Sequence, residues 1–87
     1  MKTILVIDDD KLVLRNVKDV LVATGFNVLT ATDGKSGLKI ALEEKPDLIV
    51  CDLMMPELNG FELIKNLRSS INTISIPIIV VSTLENK

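Results

Sequence analysis

The sequence predicts an α/β fold in which helices cover both faces of a parallel β-sheet. Unbroken apolar runs at residues 4–7 and 48–51 have the length of strands and are typical of strands buried on both faces. Strand-like and helix-like segments alternate along the chain with a period of ~20 to 30 residues, as β-α-β units do. At 87 residues the chain has room for one core, so we expect a single domain over residues 1–87.

The first half of the chain contains two predicted strands, each followed by a predicted helix. Asp10, just after the first apolar run, has a side chain suited to capping the first helix, and Gly25 is favoured just beyond its end. Residues 26–32 are short, β-branched and interrupted by polar residues, which favours an edge strand. Asp33-Gly34 predicts a turn before a second helix over residues 36–45. The inward positions expected for the first helix recur at helical spacing: Val13, Leu14, Val17, Val20 and Leu21.

The second half adds two strands and a third helix. Pro46 ends the preceding helix, and the central strand that follows stops at Asp52. Proline, asparagine and glycine within residues 53–60 mark a loop, and a helix is predicted over residues 61–69. A polar connection then leads to a fourth strand at residues 77–81. The side chains expected on the buried side of the third helix are Phe61, Ile64 and Leu67.

The composition argues against several classes of function. With a net charge of −2 and two phenylalanines as the only aromatic residues, the chain lacks the basic groove and the stacking surface of a nucleic-acid-binding protein. It contains no histidine, which argues against the usual zinc sites and histidine-based triads. Cys51, the only cysteine, is interpreted as a small buried hydrophobe. No apolar segment has the length of a membrane span, so we expect a cytoplasmic protein.

Acidic residues follow two of the predicted strands, at the point where each strand ends. Asp8 and Asp9 follow the first strand, and Asp52 ends the central one. Because the carboxyl ends of parallel strands meet at one edge of a sheet, where ligands bind, we expect these carboxylates to be crowded together. Mg²⁺, which takes oxygen ligands, would relieve their repulsion. Two alternatives stay open: the acidic triplet at residues 8–10 only caps the next helix, and Asp52 is an acidic turn residue.

Four motifs together resemble the receiver domain of bacterial two-component response regulators. In chain order they are ILVIDDD at residues 4–10, DLIVCDLMMP at residues 47–56, Asn59-Gly60, and PIIVVS at residues 77–82. Each motif is weak alone, but their order and spacing are specific, and the resemblance extends over essentially the whole chain. It implies a three-layer, doubly wound flavodoxin-like sheet with strand order 2-1-3-4.

The resemblance also implies a phosphorylation site. Asp52 would accept a phosphoryl group from a histidine kinase or a histidine phosphotransfer protein, so that the chain is a signalling module and not an enzyme. Ser82 would be the hydroxyl that hydrogen-bonds the phosphoryl oxygen. Thr83 stands where the family usually has a small residue, and its side chain would narrow access to the site.

Mg²⁺ is the cofactor that the resemblance implies. Asp9, Asp52 and the main-chain carbonyl of Met54 would bind it directly, and Asp8 would act through water. Phosphoryl transfer depends on position and charge neutralisation more than on a strong nucleophile, which suits a carboxylate acceptor beside a divalent cation.

The chain ends at Lys87, before the fourth helix, the fifth strand and the fifth helix of the family. The family's phosphate-pairing lysine and its reporting aromatic residue belong to that absent part. We therefore expect a receiver truncated after its fourth strand, with the acceptor chemistry but without the part that reads phosphorylation. The fourth strand becomes an apolar edge in this arrangement, so self-association through it, or through the uncovered sheet face, is expected.

Two other functions are compatible with the same fold. One is a non-signalling structural or interaction fragment that keeps the acids only as inherited sequence. The other is flavin binding, which is disfavoured because no glycine-rich phosphate loop follows the first strand and because the acids would repel a phosphate.

Overall fold

Four parallel strands form one sheet in the computed structural model, which describes residues 1–52 and 60–81. The order across the sheet is β2-β1-β3-β4, and each neighbouring pair is parallel. This confirms the predicted α/β class, the strand order and the position of the second strand at an edge. The strands are β1 (Thr3–Ile7), β2 (Asn27–Ala31), β3 (Leu48–Asp52) and β4 (Ile78–Val81).

Three helices connect these strands: α1 (Lys11–Thr24), α2 (Gly34–Glu44) and α3 (Gly60–Arg68). Asp10 caps α1 as predicted, because its Oδ1 accepts a hydrogen bond from the Leu12 amide at 2.9 Å. Gly25, at a φ of 107°, ends α1 in the left-handed conformation that favours glycine. The second helix begins at Gly34, two residues before the predicted start, because Asp33 caps it by accepting from the Ser36 amide at 2.7 Å.

The sheet is covered on both sides, which gives the three layers of a doubly wound fold. On the side of α2 and α3, here called the α2–α3 face, nine of the described residues are buried in one cluster. On the side of α1, here called the α1 face, three are buried and six more apolar side chains are partly buried around them. The α2–α3 cluster consists of Leu5, Ile7, Ala31, Ala41, Ile49, Cys51, Leu63, Leu67 and Ile76. Burial of Cys51 confirms that this thiol is a core residue.

Two of the expected core residues are in fact exposed. Val20 on α1 is 65% exposed and Phe61 on α3 is 72% exposed. The third helix buries Leu67 as predicted, together with Leu63 one turn before it, and the two side chains face the sheet together. The helix α3 carries two overlapping apolar stripes, so the spacing of its residues alone did not show which stripe packs against the sheet. The stripe with two leucines packs there.

Gly37 allows α2 to lie close to β1. A Cβ atom built on this residue would lie 2.5 Å from Cδ1 of Ile7, which is too close for any real side chain. Ile7 is itself buried in the α2–α3 cluster and has little room to move. Gly37 therefore serves packing between the helix and the strand, although glycine disfavours a helix interior.

The connection between α3 and β4 is held by side chains of its own. The guanidinium of Arg68 donates to the carbonyl of Ile76 at 2.9 Å and also to that of Ile74. The buried hydroxyl of Thr73 donates to the carbonyl of Leu67. These bonds join the end of α3 to the residues that enter β4.

No helix in the described ranges has the length and apolar character needed to cross a membrane.

Candidate metal centre

The acidic residues lie at the carboxyl ends of the two central strands. Ile7 pairs with Cys51 in the parallel register of β1 and β3. Asp8 and Asp52 are the residues that follow this pair, so they lie side by side at the ends of neighbouring strands. The Asp8 amide still donates to the Ala31 carbonyl of β2, at 3.1 Å, which holds it at the end of the sheet. Asp9 follows directly, before α1 begins.

Three carboxylates of the described residues converge at this edge. One carboxylate oxygen from each of Asp8, Asp9 and Asp52 lies within 4.8 Å of the other two. Asp8 is 7% exposed and Asp52 is 6% exposed, whereas Asp9 is open to solvent. The sequence-based expectation that these side chains are crowded together is confirmed.

The alternative that the acidic triplet only caps a helix applies to one of its three members. Asp10 is the N-cap of α1, and its own amide donates to Oδ1 of Asp8 at 2.9 Å. Asp8 and Asp9 therefore remain available to the acidic site while Asp10 serves the helix. Asp52 likewise ends a strand with its carboxylate in the cluster, so it is more than an acidic turn residue.

The surroundings of Asp8 disfavour the ionised form of its carboxyl. Burial raises the pKa of the Asp8 carboxyl above its ordinary value of 3.8, and the negative charges of Asp52, Asp9 and Asp10 raise it further. The hydrogen bond from the Asp10 amide opposes this by favouring the ionised form. The same surroundings raise the pKa of the Cys51 thiol to about 11, first through burial and then through Asp52 and Asp8. A positive charge between the carboxylates would offset the repulsion among them.

The donor set fits a hard divalent cation. All three candidate ligands are carboxylates, which suit Mg²⁺, Ca²⁺ or Mn²⁺ better than metals that prefer nitrogen or sulfur. The neighbouring thiol of Cys51 is buried in the α2–α3 cluster and donates weakly to the Asp52 carbonyl at 3.5 Å, so it faces away from the acids. Of the remaining predicted site residues, Met54, Ser82 and Thr83 lie outside the described residues.

One residue that supports the site was not singled out by the sequence. Asp47, at the opposite end of the sheet, accepts the Thr3 amide on its Oδ2 at 2.8 Å, and its own amide donates to the Thr3 carbonyl, also at 2.8 Å. These two bonds join the starts of β1 and β3. Because they hold the register of the central strands, they also align the two strand ends that carry Asp8 and Asp52. The place of Asp47 at the start of the motif at residues 47–56 was the signal in the sequence.

Comparisons with known proteins agree with this geometry. The family model described as the response regulator receiver domain matches residues 4–87. Protein PilH of Pseudomonas aeruginosa is 36% identical over 87 residues, which is 100% of this chain and 72% of PilH. The alkaline phosphatase synthesis transcriptional regulatory protein PhoP of Bacillus subtilis is 48% identical over 67 residues, which is 77% of this chain and 28% of PhoP. The chain thus matches under a third of PhoP.

A solved structure shows the same fold. The crystal structure of the chemotaxis protein CheY4 of Vibrio cholerae superposes with a TM-score of 0.92 at 31% sequence identity. The match covers 99% of this chain and 72% of that structure. The similarity therefore extends from the strand order to the whole arrangement of strands and helices that positions the acidic residues.

Proposed function

Because this chain belongs to the response regulator receiver domain family of two-component signalling, we propose that it is a phosphoacceptor module in which Asp52 takes the phosphoryl group. The observation that carries this proposal is the convergence of Asp52 with Asp8 and Asp9, whose ligand atoms lie within 4.8 Å of one another. Asp52 is the member of this cluster that ends a central strand, and the peptide backbone therefore holds it in a defined place.

The proposed reaction is transfer of a phosphoryl group from a phosphohistidine of a kinase or phosphotransfer protein. A carboxylate oxygen of Asp52 forms the new O–P bond while the P–N bond of the donor breaks and the imidazole leaves with the electron pair. Bound Mg²⁺ would neutralise negative charge on the acceptor and on the phosphoryl oxygens. Within this chain, β1 and β3 position the acceptor, and the near-complete burial of Asp52 limits the access of water to it.

The ligand roles in this proposal follow the family. Asp9 and Asp52 would hold Mg²⁺ directly, together with the main-chain carbonyl of Met54, and Asp8 would act through a water molecule. Ser82 would hydrogen-bond the phosphoryl group and Thr83 would restrict access. The all-oxygen donor set of the acidic cluster supports the part of this assignment that concerns the three aspartates.

We propose further that residues 1–87 act as one domain in the cytoplasm, as the substrate of a histidine kinase or phosphotransfer protein, and not as an enzyme. The partner provides the reactive phosphohistidine, and this chain provides the acceptor. With a net charge of −2 and two phenylalanines, we assign no nucleic-acid contact to this domain.

The decisive experiment is phosphorylation by a small-molecule donor. The chain is incubated with acetyl phosphate or phosphoramidate and Mg²⁺, and its intact mass is measured. One added phosphoryl group is expected for the unmodified chain and for Glu43→Gln, a control that removes an exposed carboxylate on α2. Asp52→Asn should show no gain. An undiminished gain in Asp52→Asn, or no gain in the unmodified chain, would rule out the acceptor role.

A second function, self-association through the fourth strand, is favoured by one observation. Within the described ranges β4 pairs with β3 alone, and Ile79 and Val81 are 50% and 42% exposed. An apolar strand with one open side can pair with the same strand of another chain. In this alternative the domain acts as an interaction fragment whose acids play no part.

Sedimentation velocity over a range of concentrations distinguishes the two functions. Self-association predicts a dimer that Val80→Lys abolishes, since charged side chains on edge strands oppose pairing. Ile71→Lys, which places the same charge on an exposed residue outside β4, is the matched control and should leave the dimer intact. A monomer at every concentration would exclude this alternative.

A further inference from the structure

A second concave surface lies between α1 and the edge strand β2. It is a cleft of about 390 Å³, within the range of roughly 300–1,000 Å³ that small-molecule sites occupy. It shares no lining residue with the acidic cluster, and neither the phosphoacceptor role nor the expected self-association makes use of it. Its lining residues are Lys11, Leu14, Arg15, Lys18, Asp19, Thr30 and Thr32.

Three cations occupy the helix side of this cleft. Lys11, Arg15 and Lys18 stand at positions i, i+4 and i+7 of α1, so they project from one side of the helix and span ~10 Å along its axis. All three are exposed, and none forms an ion pair or a side-chain hydrogen bond with another residue of the described ranges. Asp19 is the one carboxylate in the lining, which leaves the cleft with an excess of positive charge.

Two hydroxyls occupy the opposite side. Thr30 and Thr32 are two residues apart, and Thr30 pairs with Val6 in the register of β1 and β2, which places it on the α1 face. Neither hydroxyl hydrogen-bonds to a described side chain or backbone group. Leu14, buried on α1, contributes an apolar surface between the two sides. Five polar groups with no partner among the described residues thus surround one cleft.

We propose that this cleft binds a small anion that carries a diphosphate or triphosphate group. Arg15, in the middle of the three cations, offers a planar guanidinium that can hold a phosphate through two hydrogen bonds. Lys11 and Lys18 lie on either side of it, within reach of adjacent phosphates, and the threonine hydroxyls are suited to donate to the remaining oxygens.

This cradle is built from side chains on two elements, which is why no glycine-rich phosphate motif marks it in the sequence. No aromatic residue lines the cleft, so a base would gain little from stacking. The phosphates are therefore expected to provide most of the affinity, and it should weaken as the salt concentration rises.

The proposal is tested by titration of the ¹⁵N-labelled full chain, with chelator present so that divalent cations do not mask the phosphates. Pyrophosphate and ATP should each cause saturable shifts in the amide signals of Thr30, Thr32 and the first two turns of α1, whereas adenosine should cause none. If pyrophosphate and ATP bind with equal affinity, the cleft recognises the phosphates alone. A markedly tighter ATP complex would indicate that the nucleoside body contributes.

Charge-removing variants locate the binding. Lys11→Gln combined with Arg15→Gln should weaken pyrophosphate binding by roughly tenfold or more, since charge-assisted hydrogen bonds are lost. The matched control, Lys35→Gln with Lys39→Gln on α2, removes the same charge from exposed positions elsewhere and should leave the affinity unchanged. Dispersed amide spectra confirm that each variant is folded. Because Asp52 takes no part, Asp52→Asn should bind pyrophosphate as the unmodified chain does.

Three results would overturn the proposal. The first is a titration with no saturation, or with shifts spread equally over α1 and α2, which indicates non-specific attraction. The second is equal weakening by the control pair. The third is saturable binding of a glutamate-rich peptide to the same amides without binding of pyrophosphate, which would assign the cleft to an acidic segment of a protein partner.

Discussion

The two faces of the sheet are packed to different degrees, although the same strands supply both. The residues of β1 are buried on both faces of the sheet. The burial of β3 differs between the faces: Ile49 and Cys51 are buried toward α2 and α3, whereas Leu48 and Val50 are only partly buried toward α1. At β4 the α1 face is open, with Ile79 half exposed. Within the described ranges α1 is the one helix on that face, so most of the stability is expected from the α2–α3 face.

The acidic site continues the looser of the two faces. Alternate residues of a strand lie on the same face of the sheet. Asp8 is therefore on the face of Ile4 and Val6, and Asp52 is on the face of Leu48 and Val50. On the other face both strands end in apolar residues within the core. The tightly packed face therefore holds the strands in register, while the strand ends on the loosely packed face carry Asp8 and Asp52.

The largest predicted effect comes from a cavity on the tight face. Leu67→Ala removes a fully buried side chain of α3 and should lower the free energy of unfolding by about 2–5 kcal/mol. Leu21→Ala, its counterpart on the partly covered α1 face, should lower it by about 1 kcal/mol, in proportion to the smaller buried area. Urea denaturation of both variants measures the difference, and equal losses would contradict the contrast between the faces.

A smaller loss is expected at the close contact between α2 and β1. Gly37→Ala gains up to about 1 kcal/mol in helix propensity, but its methyl group must displace Ile7, and overpacking of this kind typically costs about 1–3 kcal/mol. The variant should therefore be less stable overall. In urea denaturation, Ile7→Val in the same chain should restore part of the loss, since it removes one of the contacting atoms. Lys39→Ala, exposed on the same helix, is the control and should change little.

Asp8 is expected to destabilise the cation-free chain as the pH rises. Its pKa is raised in the folded state, first by burial and then by the neighbouring carboxylates, so the folded chain holds this proton more tightly than the unfolded chain. The stabilisation that it contributes is present at low pH and is lost as the pH rises through the folded-state pKa. Asp8→Asn, which keeps an acceptor for the Asp10 amide, removes that loss.

Thermal unfolding with chelator checks the effect of Asp8. Near neutral pH the Asp8→Asn variant should unfold at a higher temperature than the parent, and the difference should shrink toward acidic pH. Mg²⁺ binding, followed by titration calorimetry, should weaken in the same variant. Asp19→Asn, which removes an exposed carboxylate on α1, should alter neither. A lower unfolding temperature for Asp8→Asn at neutral pH would contradict the raised pKa of Asp8 in the folded chain.

The smallest effect is expected at Val20. This residue is on α1 but turns away from the sheet, so Val20→Ala removes little buried surface and replaces a β-branched residue by a better helix former. The free energy of unfolding should change by no more than about 0.5 kcal/mol. A loss as large as that of Leu21→Ala in the same denaturation experiment would show that α1 packs in a different rotation.

The sequence predicted the elements and the acids better than it predicted their packing. The apolar runs, Asp10 as a cap, Gly25 as a helix end and β2 as an edge are all confirmed, because each depends on residues close together in the chain. Phe61 and Val20 were placed in the core wrongly. The role of Gly37 and the bonds between Asp47 and Thr3 were missed, since both depend on a strand or segment that is distant along the chain.

The order of residues is enough to predict where strands and helices form, and that acidic residues end the central strands. Local spacing decides these features, because a strand repeats every two residues and a helix every 3.6. The folded chain shows three features that the sequence left open. Leu63 and Leu67 of α3 face the sheet, Asp8 and Asp9 join Asp52 while Asp10 caps the helix, and a cationic cleft forms beside β2. Each of these arises from contacts between elements far apart in the chain, whose relative rotation no local pattern specifies.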